Sequence, residues 1–207
     1  MDPLQDSVSE VLHAAGHQSP ELGGGAASTI AGLIGLSLVR MALTTTGEKA
    51  KRDVTQPLSR LDAVSGALAD LARVDVAVFH RYVDALQLPR GTDGEETRRD
   101  EALRDSGQKA AEIPLRAASL IAEGLEIAAE IVAETESAVA SDVYAGAAIL
   151  KGGFVGAVAT LDINLTPKRM DAERDGLLAR RHLAVERQAV AMAKISRQAE
   201  ADGFFMG

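Results

Sequence analysis

Apolar residues recur every three or four positions through the middle of the sequence, and this period constrains the fold more than any other feature. Proline is favourable in the first turn of a helix, and the residue before a proline disfavours the helical conformation. Pro57 therefore marks the start, and Pro89 the end, of one long amphipathic helix. No segment alternates with the period of two that a half-buried strand requires. The sequence therefore predicts an all-α fold, built around this helix and its apolar positions Leu58, Leu61, Val64, Leu68, Leu71, Val78, Phe79, Tyr82 and Leu86.

The same period, interrupted by turn residues, predicts six further helices. A polar, basic loop is expected from Thr44 to Val54, and Ser141 is expected to be the N-cap of a late helix. The predicted helices are a short one through Leu4 and Leu12, one from Gly23 to about Leu43, one over 95–111, one opened by Pro114 and ending near Glu136, one from Asp142 to about Leu165, and one over 171–201.

The composition indicates how these helices pack. Aromatic residues are 3% of the 207 residues, so Ala, Leu, Val and Ile must fill the core, which suits close-packed helices. Several glycines lie inside the predicted helices, where each is unfavourable, and they indicate either tight helix contacts or a ligand that meets the backbone. We predict one domain over 1–207, an antiparallel multi-helix bundle with long Gly/Ala-rich helices, which assembles as a dimer.

Charge and cysteine content exclude several classes of protein. The net charge is -8, which argues against binding to a nucleic-acid backbone. There is no cysteine, and the start of the sequence lacks the basic region of a signal peptide, so a cytoplasmic location is expected. The uncharged stretch from Gly23 to Val39 is shorter than the roughly 20 apolar residues of a membrane span, and we interpret it as a buried helix.

Asp75 is the main anomaly, because it is a carboxylate on the apolar stripe of the long helix. It lies four residues after Leu71 and four before Phe79. A buried carboxylate without a partner is costly, and its pKa rises. Asp75 therefore either pairs with a neighbouring helix, lies at an exposed edge of the stripe, or has a chemical role.

Asp142 and Asn164 lie at the two ends of one predicted helix. Both have structural explanations, since Asp in a first turn is favoured by the helix dipole and Asn is common at a C-terminus. They lie about 33 Å apart along a continuous helix, so they cannot share one site within one chain unless the helix breaks.

Two further features bear on ligands. The run Gly23-Gly24-Gly25 precedes a helix, where bare backbone N–H groups attract anions. The four histidines, His13, His17, His80 and His182, are interpreted as surface or boundary residues, and no metal site is expected.

Five motifs in one order along the chain carry a resemblance to a known family. They are Ser19-Pro20-x-x-Gly23-Gly24-Gly25 with its Ala/Gly-rich helix to Met41, Asp75-x-x-x-Phe79 continuing to Ala85-x-x-Leu88-Pro89-Arg90, Ile113-Pro114-Leu115, Ser141-Asp142-Val143, and Ile163-Asn164. From about Ser19 to Leu165 the chain resembles the C-terminal domain of formiminotransferase-cyclodeaminases and the stand-alone methenyltetrahydrofolate cyclohydrolases. It departs from that pattern at Leu22, where the family usually has Pro, and at Thr160, where it has Asn.

The resemblance implies a dimeric, all-helical enzyme that acts on a tetrahydrofolate derivative in one-carbon metabolism, with no metal or prosthetic group. It implies catalytic carboxylates at Asp75 and Asp142, either of which can orient water or shuttle a proton and stabilise an amidinium cation. It also implies a substrate-binding set in which basic side chains and the glycine turn hold the anionic glutamate tail of folate. This set is Gly23, Gly24, Gly25, Lys49, Lys51, Arg52 and Asn164.

Four functions follow from these observations. The first is hydrolysis of 5,10-methenyltetrahydrofolate to 10-formyltetrahydrofolate, favoured because the chain leaves no room for a formiminotransferase domain. The second is a stand-alone cyclodeaminase, which expels ammonia from 5-formiminotetrahydrofolate. The third is a diverged enzyme that makes or breaks C–N bonds on a non-folate metabolite, and the fourth is a non-catalytic helical interaction protein. No nucleic-acid or membrane partner is expected.

Overall fold

The predicted all-α class is confirmed by a computed structural model that describes residues 2–17, 22–167 and 170–206. Within these ranges the chain forms six α-helices and no strand. Two short 3₁₀ segments, Val132–Glu134 and Ser137–Val139, connect the fourth and fifth helices. The helices are α1 Val8–Gly16, α2 Gly24–Ala50, α3 Thr55–Gln87, α4 Asp93–Ile131, α5 Ala140–Asn164 and α6 Asp171–Ala201.

The five long helices run alternately up and down, so each is antiparallel to the next in the chain. Charged residues are concentrated on α3, α4 and α6, and arginine–carboxylate pairs join neighbouring helices across the surface. Arg40 pairs with Asp62 between α2 and α3 at 2.6 Å, Arg60 with Glu130 between α3 and α4 at 2.5 Å, and Arg181 with Asp162 between α5 and α6 at 2.7 Å.

Helices α2 and α5 pack backbone to backbone along their shared side. A Cβ atom added to Gly35 would lie 2.7 Å from the carbonyl oxygen of Gly146, and one added to Gly146 would lie 2.8 Å from that of Gly35. Two turns along, a Cβ atom on Gly153 would lie 2.8 Å from the carbonyl oxygen of Ser28. Such distances leave no room for a methyl group, so tight helix contact explains these glycines.

The outer sides of α2 and α5 are also apolar. Both helices are long and apolar enough to cross a membrane by length and composition, yet 50% of the most apolar window of α2 and 39% of that of α5 are buried in the bundle. The predicted burial of α2 is therefore incomplete in one chain. We name the remaining surface the α2/α5 face; its residues are Ala27, Ile34 and Met41 of α2 and Ala145, Ala148, Gly152, Val155, Ala159 and Ile163 of α5.

The predicted loop over 44–54 is wrong in its first part, because α2 continues to Ala50. The polar residues there remain helical because their side chains find partners. Thr46 is buried, and its hydroxyl oxygen accepts a hydrogen bond from the backbone N–H of Glu136 at 3.1 Å. The helix ends at Lys51, which adopts a left-handed conformation with φ of 50°.

The predicted break at Pro114 is also wrong. The two helices expected over 95–111 and from Pro114 are one 39-residue helix, with Pro114 inside it. This helix begins with a capping box, in which the Thr92 hydroxyl accepts from the backbone N–H of Glu95 and the Glu95 carboxylate accepts from that of Thr92. The proline is tolerated because the Ala110 carbonyl, which it leaves without a helical donor, accepts a hydrogen bond from the side chain of Asn164 on α5.

Two predicted helix starts differ by smaller amounts. The first helix begins at Val8 rather than near Leu4, because Ser7 forms a capping box with Glu10. Helix α5 begins at Ala140 without a side-chain cap, so Ser141 is not an N-cap. The long central helix and the last helix lie within two residues of their predicted bounds.

We expect Gly146→Ala to lower the free energy of unfolding by about 1–3 kcal/mol, the range for overpacking a tight contact. The added methyl group must separate α2 from α5, because it would meet the Gly35 carbonyl oxygen. Urea denaturation measures the loss. Gly176→Ala is the matched control, since a methyl group there meets no atom within 4 Å and alanine favours the helix. Equal midpoints for both variants would contradict the backbone contact.

Candidate active site

A cavity lies where the first turn of α2 and the last turn of α5 meet the middle of α3. Its volume is about 410 Å³, and α4 and the segment after α5 complete the wall. This volume lies within the range of small-molecule sites in proteins. The predicted site residues Gly23, Gly24, Gly25, Asp75 and Asn164 all line it.

Asp75 projects from α3 onto the N-terminus of α2. The backbone N–H of Ala26 donates to its carboxylate, whereas no side chain of α2 itself caps the helix. A Cβ atom on Gly25 would lie 3.0 Å from Asp75 Oδ2 and 3.1 Å from Oδ1, so an unsubstituted α-carbon is needed for this approach. Asp75 thus has a structural role as a cap supplied by a neighbouring helix, in addition to its position in the cavity.

Burial raises the pKa of the Asp75 carboxyl group above its ordinary value, and the Ala26 N–H opposes this shift by stabilising the charged form. The rise prevails because desolvation is the larger effect. The cavity therefore holds a carboxyl group whose proton affinity is higher than that of a surface aspartate.

Asn164, the last residue of α5, holds its amide against α4. Its side-chain nitrogen Nδ2 donates to the carbonyl oxygen of Ala110 at 2.7 Å. Ala110 lies four residues before Pro114, which has no N–H to complete the helical bond. Asn164 thus supplies the donor that the proline lacks.

The remaining walls are largely apolar. Phe79 is 49% exposed and Ile163 is 64% exposed, so exposed apolar side chains line the mouth. Tyr82 and Thr160 add hydroxyl groups, and the Thr160 hydroxyl donates to the Gly156 carbonyl at 3.0 Å. No Lys, Arg or His is among the described residues that line the cavity. The cavity thus suits a planar ligand that donates N–H groups or carries positive charge.

The other predicted site residues lie at the opposite end of the bundle. Because α5 is continuous, Asp142 in its first turn is about 33 Å from Asn164, and Lys49 in the last turn of α2 is about 36 Å from Gly25. Arg52 pairs there with Glu134. The structure of one chain therefore does not bring Asp142, Lys49, Lys51 and Arg52 to the cavity, and their roles stay predictions.

The C-terminal tail also reaches this far end. The Tyr144 hydroxyl donates to Asp202 Oδ2 at 2.5 Å, and the ring of Phe204 lies 5.1 Å from that of Tyr144. Burial of the hydroxyl and this bond raise the pKa of Tyr144.

Within the part of the chain that the structure describes, no group of three or more His, Asp or Glu side chains is placed to hold a metal ion. Ser19 and Pro20, part of the first motif, lie outside the described residues.

Sequence reasoning missed two kinds of cavity residue. The sequence pattern identifies Tyr82 only as part of the apolar stripe, although its spacing of seven from Asp75 places both on one helical face. Ala110 contributes a backbone carbonyl, which no side-chain pattern reveals. The presence of Pro114 four residues later was the available signal.

Comparison with known proteins identifies relatives over most of the chain. Residues 7–179 match the family model described as formiminotransferase-cyclodeaminase. The methenyltetrahydrofolate cyclohydrolase of Methylorubrum extorquens is 29% identical over 189 residues, which cover 84% of this chain and 89% of that protein. The formimidoyltransferase-cyclodeaminase of Sus scrofa is 29% identical over 175 residues, 82% of this chain, but only 32% of that longer protein is covered.

A solved structure has the same fold. The crystal structure of formiminotetrahydrofolate cyclodeaminase from Thermotoga maritima superposes with a TM-score of 0.82 and covers 96% of this chain and 98% of that chain. At 19% sequence identity, this likeness shows the fold alone.

The raised pKa of Asp75 leads to a pH-dependent stability difference. With its pKa higher in the folded than in the unfolded chain, ionisation of Asp75 lowers folding stability as the pH rises through the interval between the two values. Asn at this position keeps an acceptor for the Ala26 N–H and cannot ionise. We therefore compare the difference in melting temperature, Asp75→Asn minus the unaltered protein, at two pH values. We expect this difference to be higher at pH 7 than at pH 4.

Thermal unfolding of both proteins in matched buffers measures this difference. Groups elsewhere titrate equally in the two proteins and cancel. A relative melting temperature that falls as the pH rises would show a lowered pKa, with the Ala26 N–H outweighing burial.

Proposed function

The chain belongs to the formiminotransferase-cyclodeaminase family, and from that premise we propose that it hydrolyses 5,10-methenyltetrahydrofolate to 10-formyltetrahydrofolate. The cyclohydrolase of M. extorquens supports this choice, because 89% of its length aligns with this chain. The chain spans about a third of the pig enzyme. Formiminotetrahydrofolate cyclodeaminase activity is the second candidate, favoured by the family description and by the pig relative.

The observation that carries the proposal is the half-buried Asp75 carboxyl group among apolar walls. The methenyl carbon of the substrate lies between N5 and N10, and these three atoms form an amidinium cation. A carboxylate beside it stabilises the positive charge in a site with little water, where electrostatic attraction is strong. Phe79 and Ile163 supply apolar surface for the ring system.

Asp75 is also suited to move the protons of the reaction. As a water oxygen bonds to the bridge carbon, the carboxylate takes one proton and a neutral tetrahedral carbon forms between N5 and N10. When the C–N5 bond breaks, Asp75 returns that proton to N5, and the hydroxyl proton leaves to solvent as the formyl C=O forms on N10. A pKa raised towards the working pH favours both transfers.

The cyclodeaminase reaction passes through a similar tetrahedral carbon. N10 adds to the formimino carbon, and the N10 proton passes to the formimino nitrogen, which becomes an amino group. A second proton makes that group a leaving group, and ammonia departs as the cationic methenyl bridge closes. The same carboxyl group serves as the proton donor. Loss of methenyltetrahydrofolate absorbance identifies the first activity, and ammonia release from formiminotetrahydrofolate identifies the second.

We expect Asp75→Asn to lower turnover on the active folate by roughly 10²–10⁴-fold, because the amide keeps the shape but cannot accept and return a proton. Circular dichroism and thermal unfolding should show an intact fold, since Asn still accepts from the Ala26 N–H. Initial rates of both reactions measure the effect.

Asp70→Asn is the matched control on the same helix, because Asp70 is exposed and its side chain pairs with Arg73 outside the cavity. Turnover of neither folate by the unaltered protein would make the proposed function wrong. Near-normal turnover by Asp75→Asn would make the proposed mechanism wrong with the function intact.

We also propose that a second copy of the chain covers the α2/α5 face. Helices that are apolar on all sides are normally buried, and apolar surface of this extent marks an interaction site. No charged residue lies between Gly23 and Val39, and Lys151 is the sole charged residue between Val143 and Leu161. The small residues along α5 permit close approach of a partner helix. A cytoplasmic dimer explains this surface without membrane insertion.

A two-fold axis perpendicular to α2 and α5 would bring the predicted site residues of the cavity close to those at the far end of the partner chain. Such an axis reverses the direction of the partner's helices, so the far end of one chain meets the cavity end of the other. Lys49, Lys51 and Asp142 of each protomer would then approach the other's cavity. This arrangement would supply the cations that the described lining residues lack.

We expect the unaltered protein to have twice the mass of one chain in light scattering at micromolar concentration. The double variant Ile34→Glu with Val155→Glu should be a folded monomer, because it places charge in the middle of the α2/α5 face, where these residues are 52% and 59% exposed. Val190→Glu on α6, 73% exposed and outside the face, is the control and should remain dimeric.

The same variants test the shared site. Loss of turnover in the folded monomer supports contributions from both protomers, whereas full turnover would place the whole site within one chain. A monomeric mass for the unaltered protein would end the dimer proposal, and recovery in the membrane fraction would favour insertion of α2 and α5.

A further inference from the structure

Pro114 is an unexpected residue inside a long helix. It lies within α4, with more than five helical turns before it and four after it, and its side chain is buried. Proline has no N–H to donate to the carbonyl four residues earlier, and it is the least favourable residue for a helix interior. The carbonyl that loses its helical donor here is that of Ala110, which lies on the cavity wall.

The lost donor is replaced from α5. Asn164 Nδ2 donates to the Ala110 carbonyl oxygen at 2.7 Å, across 54 residues of sequence. A carbonyl oxygen can only accept, so this contact requires that the nitrogen of the amide, and not its oxygen, face α4. The planar amide is therefore held in one orientation.

The orientation leaves the amide oxygen as the group that Asn164 offers to a ligand. Among the residues that the structure describes, the hydrogen bond of the Asn164 side chain is the one that Nδ2 donates, and the side chain lines the cavity. With the Asp75 carboxylate, this gives the cavity two hydrogen-bond acceptors on different helices. Because Asp75 is assigned to the bridge carbon, Asn164 Oδ1 is the acceptor left for an N–H donor of the ring, such as one on the reduced pterin ring of a folate.

We propose that Pro114 is a positioning residue: by leaving the Ala110 carbonyl without a helical donor, it turns the Asn164 amide so that Oδ1 accepts an N–H of the ring. The inference rests on the proposed function for the identity of the ligand. The orientation itself depends on the contact between Asn164 and Ala110 alone. A residue with a backbone N–H at position 114 would compete with Asn164 for the carbonyl and release the amide to rotate.

The test is a double-mutant cycle of Pro114→Ala, Asn164→Ala and the two combined. We expect Pro114→Ala to raise KM about tenfold or more with a smaller change in kcat, because ring binding is weakened while the Asp75 chemistry is retained. Asn164→Ala should give a similar loss. The combined variant should be no worse than Asn164→Ala, because both substitutions remove the same contact.

Pro57→Ala is the matched control. Pro57 lies in the first turn of α3, where helical N–H groups have no intrahelical partner. The N–H that alanine adds there therefore competes for no helical carbonyl. It should leave kcat and KM unchanged. Kinetics of Pro114→Ala within twofold of the unaltered protein, or a combined loss equal to the product of the single losses, would overturn the inference.

A measurement without substrate separates this inference from the proposed function. The side-chain amide protons of Asn164, assigned by their loss in Asn164→Ala, should exchange slowly with solvent in the unaltered protein and faster in Pro114→Ala. Fast exchange in both proteins would overturn the positioning role even if folate turnover were normal. Slow exchange that Pro114→Ala abolishes would support the role even if neither folate were turned over, a result that rejects only the proposed function.

If Pro114→Ala does not fold, Asn164→Asp tests the same contact between Asn164 and the Ala110 carbonyl. A carboxylate keeps the size of the side chain but cannot donate to the Ala110 carbonyl. Raised KM in this variant at pH 7, with partial recovery at lower pH where the carboxyl group regains a proton, is the expected result. An unchanged KM would show that the bond to Ala110 does not matter for binding.

Discussion

The backbone contact between α2 and α5 is the interaction on which the rest of the structure depends. At Gly35 and Gly146 the two helices approach so closely that neither position has room for a Cβ atom. Contact at this distance allows little sliding or rotation, because each shift would bring a carbonyl oxygen onto the opposite helix. The register of α2 against α5 is therefore set, and with it the meeting of the α2 N-terminus and the α5 C-terminus beside α3.

The cavity is built from two places where helical hydrogen bonding is incomplete. The first turn of α2 lacks a side-chain cap of its own, and Asp75 of α3 accepts from it. The interior of α4 lacks a donor at Pro114, and Asn164 of α5 supplies one. In both cases a polar side chain is held by the backbone of another helix, so its structural role also fixes its position in the cavity. This double use explains how a half-buried carboxyl group can remain beside apolar walls.

The chain has different chemistry at its two ends and an apolar face between them. The cavity end has a carboxylate and apolar walls, whereas Lys49 lies about 36 Å away along α2 and Lys51 and Arg52 follow it. A folate has a matching division, with a ring system that can be cationic and an anionic tail. A two-fold dimer through the α2/α5 face is the simplest assembly that would place both kinds of group at one site.

The all-α class, the bounds of α3 and α6 and the family can be predicted from the sequence, because helical period and short motifs are local properties of the chain. The sequence also indicated Asp75, since a carboxylate on an apolar stripe is anomalous wherever the helix packs. Tertiary structure alone decided that Gly25, Asp75 and Asn164 share a cavity while Asp142 does not, because distances between helices depend on their register. It also decided that α4 continues through Pro114 and α2 through Thr46, since the groups that satisfy these positions, Asn164 and Glu136, come from distant parts of the sequence.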